Sequence, residues 1–324
     1  MSSAPVLEVD GLTRVFRAAG RQSAQVVAVR NVSFRLEPGE VLAVVGESGS
    51  GKTTIGRIVT GVDQPTAGRV ALAGQGRRPT PADRRRVQMV FQDPYAALNP
   101  FNTVAYAVSR PLVNYQGLAA RQARERAAGI LATVQLTPPE AYLDKRPHQL
   151  SGGQRQRVVV ARALAAGPDI VVADEPVSML DVSIRADILK LLKSLLDEGR
   201  VMAMLYITHD LLSARLLAKR VLVLYRGHVV ETGRTADILA RPAHPYTQML
   251  WAAIPNPRRA ARGEVVPMPA AAKGEAPPNG CPFAPRCPLV VDRCWLEMPA
   301  LLPMADGREA ACHVVAQAPA VAHV

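Results

Sequence analysis

The sequence predicts an α/β protein built around a doubly wound parallel sheet. Three short apolar runs, Val41–Val45, 170–173 and 202–207, are bounded by charged or turn residues. Runs that are apolar on both faces are typical of parallel strands covered by helices on each side. Helical patterns at 119–134 and 184–196 separate them. Ligands of such folds bind at the carboxyl ends of the strands, so the residues after each run are the candidate functional residues.

Length, composition and charge narrow the class of protein. The 324 residues are 48% hydrophobic and 20% charged, which excludes a disordered chain. No run approaches the roughly 18 to 20 apolar residues of a membrane-spanning helix. The first ten residues lack the pattern of a secretory signal, and the interpretation is a cytoplasmic protein. The net charge of +12 predicts either a solvated basic surface or an anionic partner. Aromatic residues, on which nucleic-acid bases stack, are only 4% of the chain, so a membrane surface is favoured over nucleic acid as that partner.

A glycine-rich segment after the first run fits the phosphate-binding loop pattern. It comprises Gly46, Glu47, Ser48, Gly49, Ser50, Gly51, Lys52 and Thr53. The glycines let backbone amides point at phosphate oxygens, and the helix that follows adds its positive end. We expect Lys52 to reach the β- and γ-phosphates, Thr53 to ligate Mg²⁺ and Thr54 to lie near the α-phosphate. The alternative, a glycine turn without a ligand, is disfavoured by the flanking strand and helix.

Polar residues follow the other apolar runs. Asp174 is predicted to hold Mg²⁺ through water, and Glu175 to act as the general base that polarises an attacking water. Without the upstream loop, this acidic pair would be interpreted as a solvated turn. His209 follows the third run and is predicted to stabilise the γ-phosphate, although a lone histidine is more often structural. Gln92 is predicted to complete the Mg²⁺ shell or to contact the water.

A second phosphate-binding device lies at a predicted helix N-terminus. It consists of Leu150, Ser151, Gly152, Gly153 and Gln154. One nucleotide does not need two such devices from a single subunit. We therefore expect this turn to act on a nucleotide held by another copy of the chain.

These motifs, with Leu180 and Asp181, resemble those of ATP-binding cassette ATPases in order and spacing, over residues 6–254. The resemblance implies a phosphate-loop nucleoside triphosphatase fold with a helical subdomain at about 93–165. It also implies a head-to-tail dimer that encloses two ATP molecules, each between one phosphate loop and the other subunit's Ser151, Gly152, Gly153 and Gln154. An aromatic residue of the first strand region, Phe16, is expected to stack on adenine.

A narrower resemblance is to ATPase subunits of oligopeptide and dipeptide importers, a group that includes nickel importers. It rests on residues 91–95, 98–100, 174–178, 180–183 and 244–247. Met179 departs from the alanine usual there. The resemblance implies a place at the cytoplasmic face of the membrane, permease subunits, a second ATPase subunit, identical or related, and a substrate-binding protein. Peptides are the expected cargo, with nickel or another small solute as the alternative. A soluble nucleic-acid-associated ATPase is disfavoured because there is one cassette and no long coiled coil.

A change in composition predicts a boundary after residue 254. Residues 255–280 are rich in Pro, Ala and Gly and predict a linker, followed by a cysteine-rich extension at 281–324. Its four thiols, Cys281, Cys287, Cys294 and Cys312, predict a metal site in a cytoplasmic protein, with reduced thiols as the alternative. The gaps match neither common zinc sites nor ferredoxins. The resemblance places a four-iron four-sulfur cluster above Zn²⁺, and a redox sensor that gates the ATPase is a further alternative.

Overall fold

The computed structural model describes residues 4–17, 25–73, 81–254 and 275–315. Strands in these ranges are β1 (Leu7–Arg17), β2 (Gln25–Leu36), β3 (Val41–Val45), β4 (Ala67–Leu72), β5 (Val87–Val90), β6 (Ile170–Asp174), β7 (Ala203–Thr208), β8 (Arg220–Tyr225), β9 (His228–Arg234), β10 (Leu302–Pro303) and β11 (Glu309–Ala310). Helices are α1 (Lys52–Val59), α2 (Pro94–Ala97), α3 (Val104–Gln116), α4 (Ala120–Thr133), α5 (Glu140–Leu143), α6 (Gly152–Leu164), α7 (Val182–Asp197), α8 (Leu211–Leu217), α9 (Thr235–Ala240), α10 (Pro245–Ala252) and α11 (Arg293–Leu296). Within these ranges, no helix is both long enough and apolar enough to cross a bilayer.

The chain forms two compact units, and it passes between them several times. The first unit contains the described residues of Met1–Leu12, Ser33–Val41 and Thr53–Ile207. The second contains those of Thr13–Val32, Leu42–Lys52 and Thr208–Val324. The predicted phosphate loop lies in the second unit up to Lys52 and continues into the first unit at Thr53.

Parallel strands form the core of the first unit, as the apolar runs predict. β6 pairs in parallel with β5 on one side and with β7 on the other. Every residue of β6 and β7 is buried, because helices cover both faces of such strands. The carboxyl ends of β5 and β6 therefore present Gln92, Asp174 and Glu175 at the same edge of this sheet.

Helices occupy most of the predicted helical subdomain at 93–165. In it, α3 packs against α4, and both pack against α6. The helical patterns at 119–134 and 184–196 are confirmed as α4 and α7, with ends that differ by two residues or fewer. The buried face of α7 carries Ile188, Leu191, Leu192 and Leu195 at helix spacing.

The strand pairing in the second unit is mixed, and it includes an antiparallel pair that the apolar runs do not predict. β3 pairs in parallel with β8, but β9 pairs antiparallel with β8. The reason is a two-residue connection, Arg226 and Gly227, whose φ angles are both positive (45° and 81°). Such a turn makes a tight hairpin and forces antiparallel pairing. A separate three-stranded sheet has the order β2, β1, β4.

The C-terminal region is part of the second unit. β11 extends the sheet by pairing antiparallel with β9, and β10 pairs with β11. The buried Arg308 forms an ion pair with the fully buried Glu231 at 3.3 Å. Glu231 also accepts hydrogen bonds from the backbone of Ala243 and His244. Residues 255–274 of the predicted linker lie outside the described residues, so the boundaries at 254 and 280 stay predictions.

His244 is a buried residue whose protonation destabilises the fold. Its Nδ1 accepts a hydrogen bond from the backbone N–H of Tyr246 at 3.0 Å, which caps α10. Burial lowers the pKa of His244 from 6.5 to about 4. The unfolded chain therefore binds more protons between these two pH values, so stability contributed by neutral His244 is present above pH 6.5 and is lost as the pH falls towards 4.

We expect the free energy of unfolding to fall between pH 6.5 and pH 4 by up to about 3 kcal/mol through His244 alone. His244→Asn keeps an acceptor suited to a helix N-cap and should lose distinctly less stability over this range. Urea unfolding of both proteins at several pH values measures the difference, because the other titrating groups are common to both. Equal pH dependence in the two proteins would contradict this role of His244.

Candidate functional site

The phosphate loop connects β3 to α1 and follows a path that requires glycine. A Cβ atom at Gly46 would lie 2.1 Å from the backbone oxygen of Leu224. At Gly51, φ is +104° and a Cβ would lie 2.2 Å from the backbone oxygen of Ala28. At Gly49, φ is +78° but a Cβ would meet no atom within 4 Å. Gly46 and Gly51 are thus fixed by close packing, and Gly49 by backbone conformation alone.

Two polar side chains of the loop are directed inwards. Lys52 is buried, and its Nζ donates hydrogen bonds to the backbone oxygens of Gly46 and Glu47 at 2.8 and 2.9 Å. The Oγ of Ser50 is buried and finds no hydrogen-bond partner among the described residues. An unsatisfied buried hydroxyl beside a curled backbone and an ammonium group suits phosphate oxygens. The residues present therefore fit a nucleotide phosphate chain.

A hydroxyl and a carboxylate meet at the predicted magnesium site. Thr53 Oγ1 donates to Asp174 Oδ1 at 3.2 Å. Asp174 is buried at the end of β6, while Thr53 is exposed at the start of α1. Mg²⁺ prefers oxygen ligands and retains several waters, so a hydroxyl next to a carboxylate fits it. Thr54 is half-buried in the same turn of α1.

Glu175 is held in an unusual backbone conformation next to Gln92. Its φ is 43°, which is uncommon for a residue with a side chain. Its N–H donates to the oxygen of Ile207 at 2.8 Å, and its own carbonyl accepts from Ser178 Oγ at 3.0 Å. Gln92 Nε2 donates to Glu175 Oε2 at 3.1 Å. The structure therefore brings together the predicted base and the predicted amide residue.

A cavity of about 410 Å³ adjoins this cluster. Thr53, Gln92 and Asp174 line it, together with Arg57 and Arg162, which sequence reasoning missed. Arg162 donates to the backbone oxygen of Ala97, and burial lowers the pKa of its guanidinium. Neither arginine belongs to a recognisable sequence motif, so only the folded structure shows that they line this cavity.

The Ser-Gly-Gly turn begins α6 with a capping box. Ser151 Oγ accepts from the N–H of Gln154 at 3.3 Å, and Gln154 Oε1 accepts from the N–H of Ser151 at 3.0 Å. Ser151 is exposed and Gly152 half-buried, whereas Gly153 is buried. A Cβ at Gly153 would lie 2.7 Å from Ile184 Cγ2, so this glycine permits close packing against α7.

Arg155 supports the same turn and was also missed. Its side chain is buried and donates to the backbone oxygens of Pro147 and Leu150, both at 3.0 Å. Its guanidinium lies over the ring of Tyr95, 3.8 Å from the centroid. The one sequence signal for Arg155 was its position directly after Gln154. The sequence does not reveal which groups its side chain contacts.

Phe16 and His209 belong to the second unit. Phe16 is exposed, and the guanidinium of Arg14 lies 4.5 Å from its ring centroid. His209 is exposed, and it lies between the buried Thr208 and the half-buried Asp210. Asp210 caps α8 by accepting hydrogen bonds from the N–H groups of Leu212 and Ser213. The roles predicted for these two residues stay predictions.

The four cysteines are free thiols, three of them buried and Cys287 half-buried. Burial, with a smaller contribution from the neighbouring cysteines, raises the pKa values of Cys281 and Cys287 to about 11, so the neutral thiols are favoured. In the described part of the chain, no group of three or more His, Cys, Asp or Glu side chains is arranged to hold a metal ion. The structure therefore does not support the predicted iron–sulfur or zinc site.

The glycine-rich loop between β3 and α1, with buried Lys52 at its end, defines the class of protein as a phosphate-loop nucleoside triphosphatase. Residues 29–178 match the ABC transporter family. Residues 230–294 match the family described as the C-terminal region of oligopeptide/dipeptide transporters.

Relatives match almost the whole chain. A probable peptide ABC transporter ATP-binding protein of Sinorhizobium fredii is 45% identical, covering 98% of this chain and 92% of the relative. A putative peptide import ATP-binding protein of Brucella ovis is 42% identical, covering 96% and 98%. The chain belongs to the ATP-binding cassette transporter family, in the group of peptide transporter ATP-binding proteins, and it is an ATPase.

Solved structures agree with this fold. One is a dimeric ATP-binding cassette in a post-hydrolysis state, bound to ADP and phosphate. It is 32% identical, with a TM-score of 0.62 over 71% of this chain and 98% of that one. Another is CbiO1 of Clostridium perfringens, part of an ABC transporter complex, 26% identical with a TM-score of 0.65 over 81% and 100%.

The packing at Gly51 predicts a large difference between two glycine substitutions. Gly51→Ala should lower the free energy of unfolding by roughly 2 kcal/mol more than Gly49→Ala, because only the former places a Cβ against a backbone oxygen. Both positions have positive φ, so Gly49→Ala is a matched control for backbone strain. Urea unfolding without nucleotide measures both values, and equal losses would contradict the packing argument.

Proposed function

We propose that this chain is the ATP-hydrolysing subunit of an importer that takes up di- and oligopeptides through a membrane permease. The observation that carries the hydrolytic part is the cluster at the ends of β5 and β6. There, Asp174 contacts Thr53, and Glu175 contacts Gln92. The names of the relatives support peptides as cargo over nickel or another small solute, and they do not favour a nucleic-acid-associated ATPase.

Binding of ATP uses the loop from Gly46 to Thr54. Lys52, already desolvated and turned towards the loop backbone, supplies positive charge to the β- and γ-phosphates. The amides of the loop and the Ser50 hydroxyl donate to phosphate oxygens. Phe16, exposed on β1, stacks on the adenine ring.

Thr53, Asp174 and Gln92 would hold Mg²⁺ through side-chain oxygens and water. When bound, the cation neutralises charge that develops on the phosphates. Buried Asp174 is the anionic member of this set, and its contact with Thr53 fixes the direction of its carboxylate.

Hydrolysis requires a residue that orients water and accepts its proton. Glu175 is suited to this because its backbone N–H and carbonyl are hydrogen-bonded to Ile207 and Ser178, and its carboxylate is oriented by Gln92. The proton passes from water to a carboxylate oxygen of Glu175 as the water oxygen attacks the γ-phosphorus, and the bond between that phosphorus and the β–γ bridging oxygen breaks, so that ADP and phosphate are the products. His209 donates to the same phosphate and stabilises its charge.

A second subunit completes each site. Ser151, Gly152, Gly153 and Gln154 present the N-terminus of α6 to the γ-phosphate of ATP bound by the partner. The capping box supports this role because it fixes the turn before the partner arrives. The solved relative is dimeric, and this chain pairs with itself or with a related ATPase.

The permease binds the helical subdomain at the cytoplasmic face of the membrane, and a substrate-binding protein delivers the peptide from outside. Exposed aromatic side chains support the docking site, namely Tyr95, Phe101 and Tyr106, of which Phe101 is 80% exposed. Large exposed aromatic residues are enriched at protein interfaces. Closure on ATP moves this surface and opens the permease.

Glu175→Gln should bind ATP with unchanged affinity while kcat falls by about 10² or more, because the amide cannot accept the proton. With ATP, the variant should accumulate as the dimer. Steady-state hydrolysis and size-exclusion chromatography with ATP measure the two effects.

Glu198→Gln is the matched control, because Glu198 is an exposed acid of the same unit, at the end of α7. It should hydrolyse ATP at the wild-type rate. Wild-type turnover by Glu175→Gln would refute the assignment of Glu175 as the base.

The four cysteines are proposed to bind a four-iron four-sulfur cluster, with Zn²⁺ as the alternative. Four thiols within one short segment of the sequence support this proposal, whereas the arrangement described above does not. Anaerobic purification followed by iron, sulfide and zinc analysis tests it. About four irons and four sulfides per chain are expected, and a metal-free protein would refute it.

A further inference from the structure

The C-terminal region is bonded directly to a side chain of the phosphate loop. Glu47 follows the first glycine of the loop, and Arg286 lies in the cysteine-rich segment, 239 positions further along the chain. The two Nη atoms of Arg286 donate to the two carboxylate oxygens of Glu47, at 3.0 and 3.1 Å. A two-point contact of this kind is stronger and more directional than a single surface ion pair.

Other groups hold the Arg286 guanidinium in place. Its Nη1 lies 3.4 Å from the hydroxyl of Tyr225, and its Nη2 lies 3.2 Å from Met249 Sδ. The guanidinium also lies 5.9 Å from the ring centroid of Tyr225 and 5.7 Å from that of Phe283. The hydrogen bonds to Glu47 raise the pKa of Arg286 above its ordinary value. The arginine is therefore positioned by the fold, since side chains from three segments surround it.

The backbone of Glu47 rests on the same aromatic cluster. Its N–H donates to the hydroxyl of Tyr246 at 2.8 Å. Tyr246 is fully buried, with its ring 4.5 Å from that of Tyr225 and 5.6 Å from that of Phe283. Main chain and side chain of one loop residue are thus both held by residues from the C-terminal third of the chain.

The charge of Glu47 needs this partner. The phosphate-loop pattern does not specify the residue at this position, and a carboxylate there repels the phosphates that the loop binds. The Arg286 guanidinium neutralises that carboxylate and draws it towards the aromatic cluster. Without Arg286, an uncompensated negative charge would remain one residue from Gly46.

We propose that Arg286 is a positioning residue for ATP binding, which acts through Glu47 and couples the cysteine-rich C-terminal region to the phosphate loop. The inference rests on the proposed function, in that the loop must bind ATP.

The test compares full-length variants by calorimetric titration with ATP and by steady-state hydrolysis. Arg286→Ala should raise Kd and KM for ATP about fivefold, with kcat changed by less than about twofold, because the repulsion acts on binding. Arg286→Lys should fall between wild type and alanine, since lysine restores the charge but not the two-point contact.

A double variant separates charge compensation from simple loosening of the fold. Adding Glu47→Gln to Arg286→Ala removes the repelling charge and should return Kd to within about twofold of wild type. Arg293→Ala is the matched control, because this arginine of the same region pairs with Glu297 at 2.9 Å on the surface, away from the loop. It should bind ATP as wild type does.

Wild-type affinity in Arg286→Ala, or a double variant as weak as Arg286→Ala alone, would overturn the inference. In either case the wild-type protein and Arg293→Ala would still bind ATP, so the proposed function would stand. Failure of these two proteins to bind ATP would instead overturn the proposed function, and the inference with it.

Discussion

The close approach of the phosphate loop to neighbouring backbone is the constraint on which the site depends. Gly46 lies against the oxygen of Leu224 on β8, and Gly51 lies against the oxygen of Ala28 on β2. These contacts leave no room for a Cβ atom, so the loop cannot relax outwards and its curvature is set by its neighbours. Lys52 then closes the loop from inside through two carbonyl oxygens. Packing from outside and hydrogen bonds from inside together set the curvature of the loop.

The residues proposed to hold Mg²⁺ and to act as the base are positioned in a different way. Asp174 and Glu175 follow a strand that is buried along its whole length, so their positions are fixed by sheet register rather than by side-chain packing. The positive φ of Glu175 turns the chain sharply at this point, and residues held in such conformations often mark functional sites. Transfer of a γ-phosphoryl group to water depends mostly on positioning and electrostatics, and these backbone constraints supply the positioning.

The strands and site residues that the sequence predicts are those marked by a short, continuous sequence pattern. β3, β6 and β7 were predicted from apolar runs. Lys52 and Thr53 were predicted from the glycine-rich loop pattern, and Asp174 and Glu175 from their place after a strand. The antiparallel β9 was missed because its signal is only the pair Arg226 and Gly227. Contacts between distant segments, such as Arg155 with Tyr95, were not predictable, since neither residue carries a pattern that names its partner. The same holds for the pairing of Glu47 with a residue of the cysteine-rich region.

The central claim is that each ATP is hydrolysed between the phosphate loop of one subunit and the Ser151 turn of another. Mixing two inactive variants, Lys52→Ala and Ser151→Arg, tests it most directly. Random pairing makes half of the dimers mixed, each with one intact site, so the account predicts recovery to about a quarter of the wild-type ATPase rate. A mixture that stays as inactive as its components, while both variants remain folded, would contradict it.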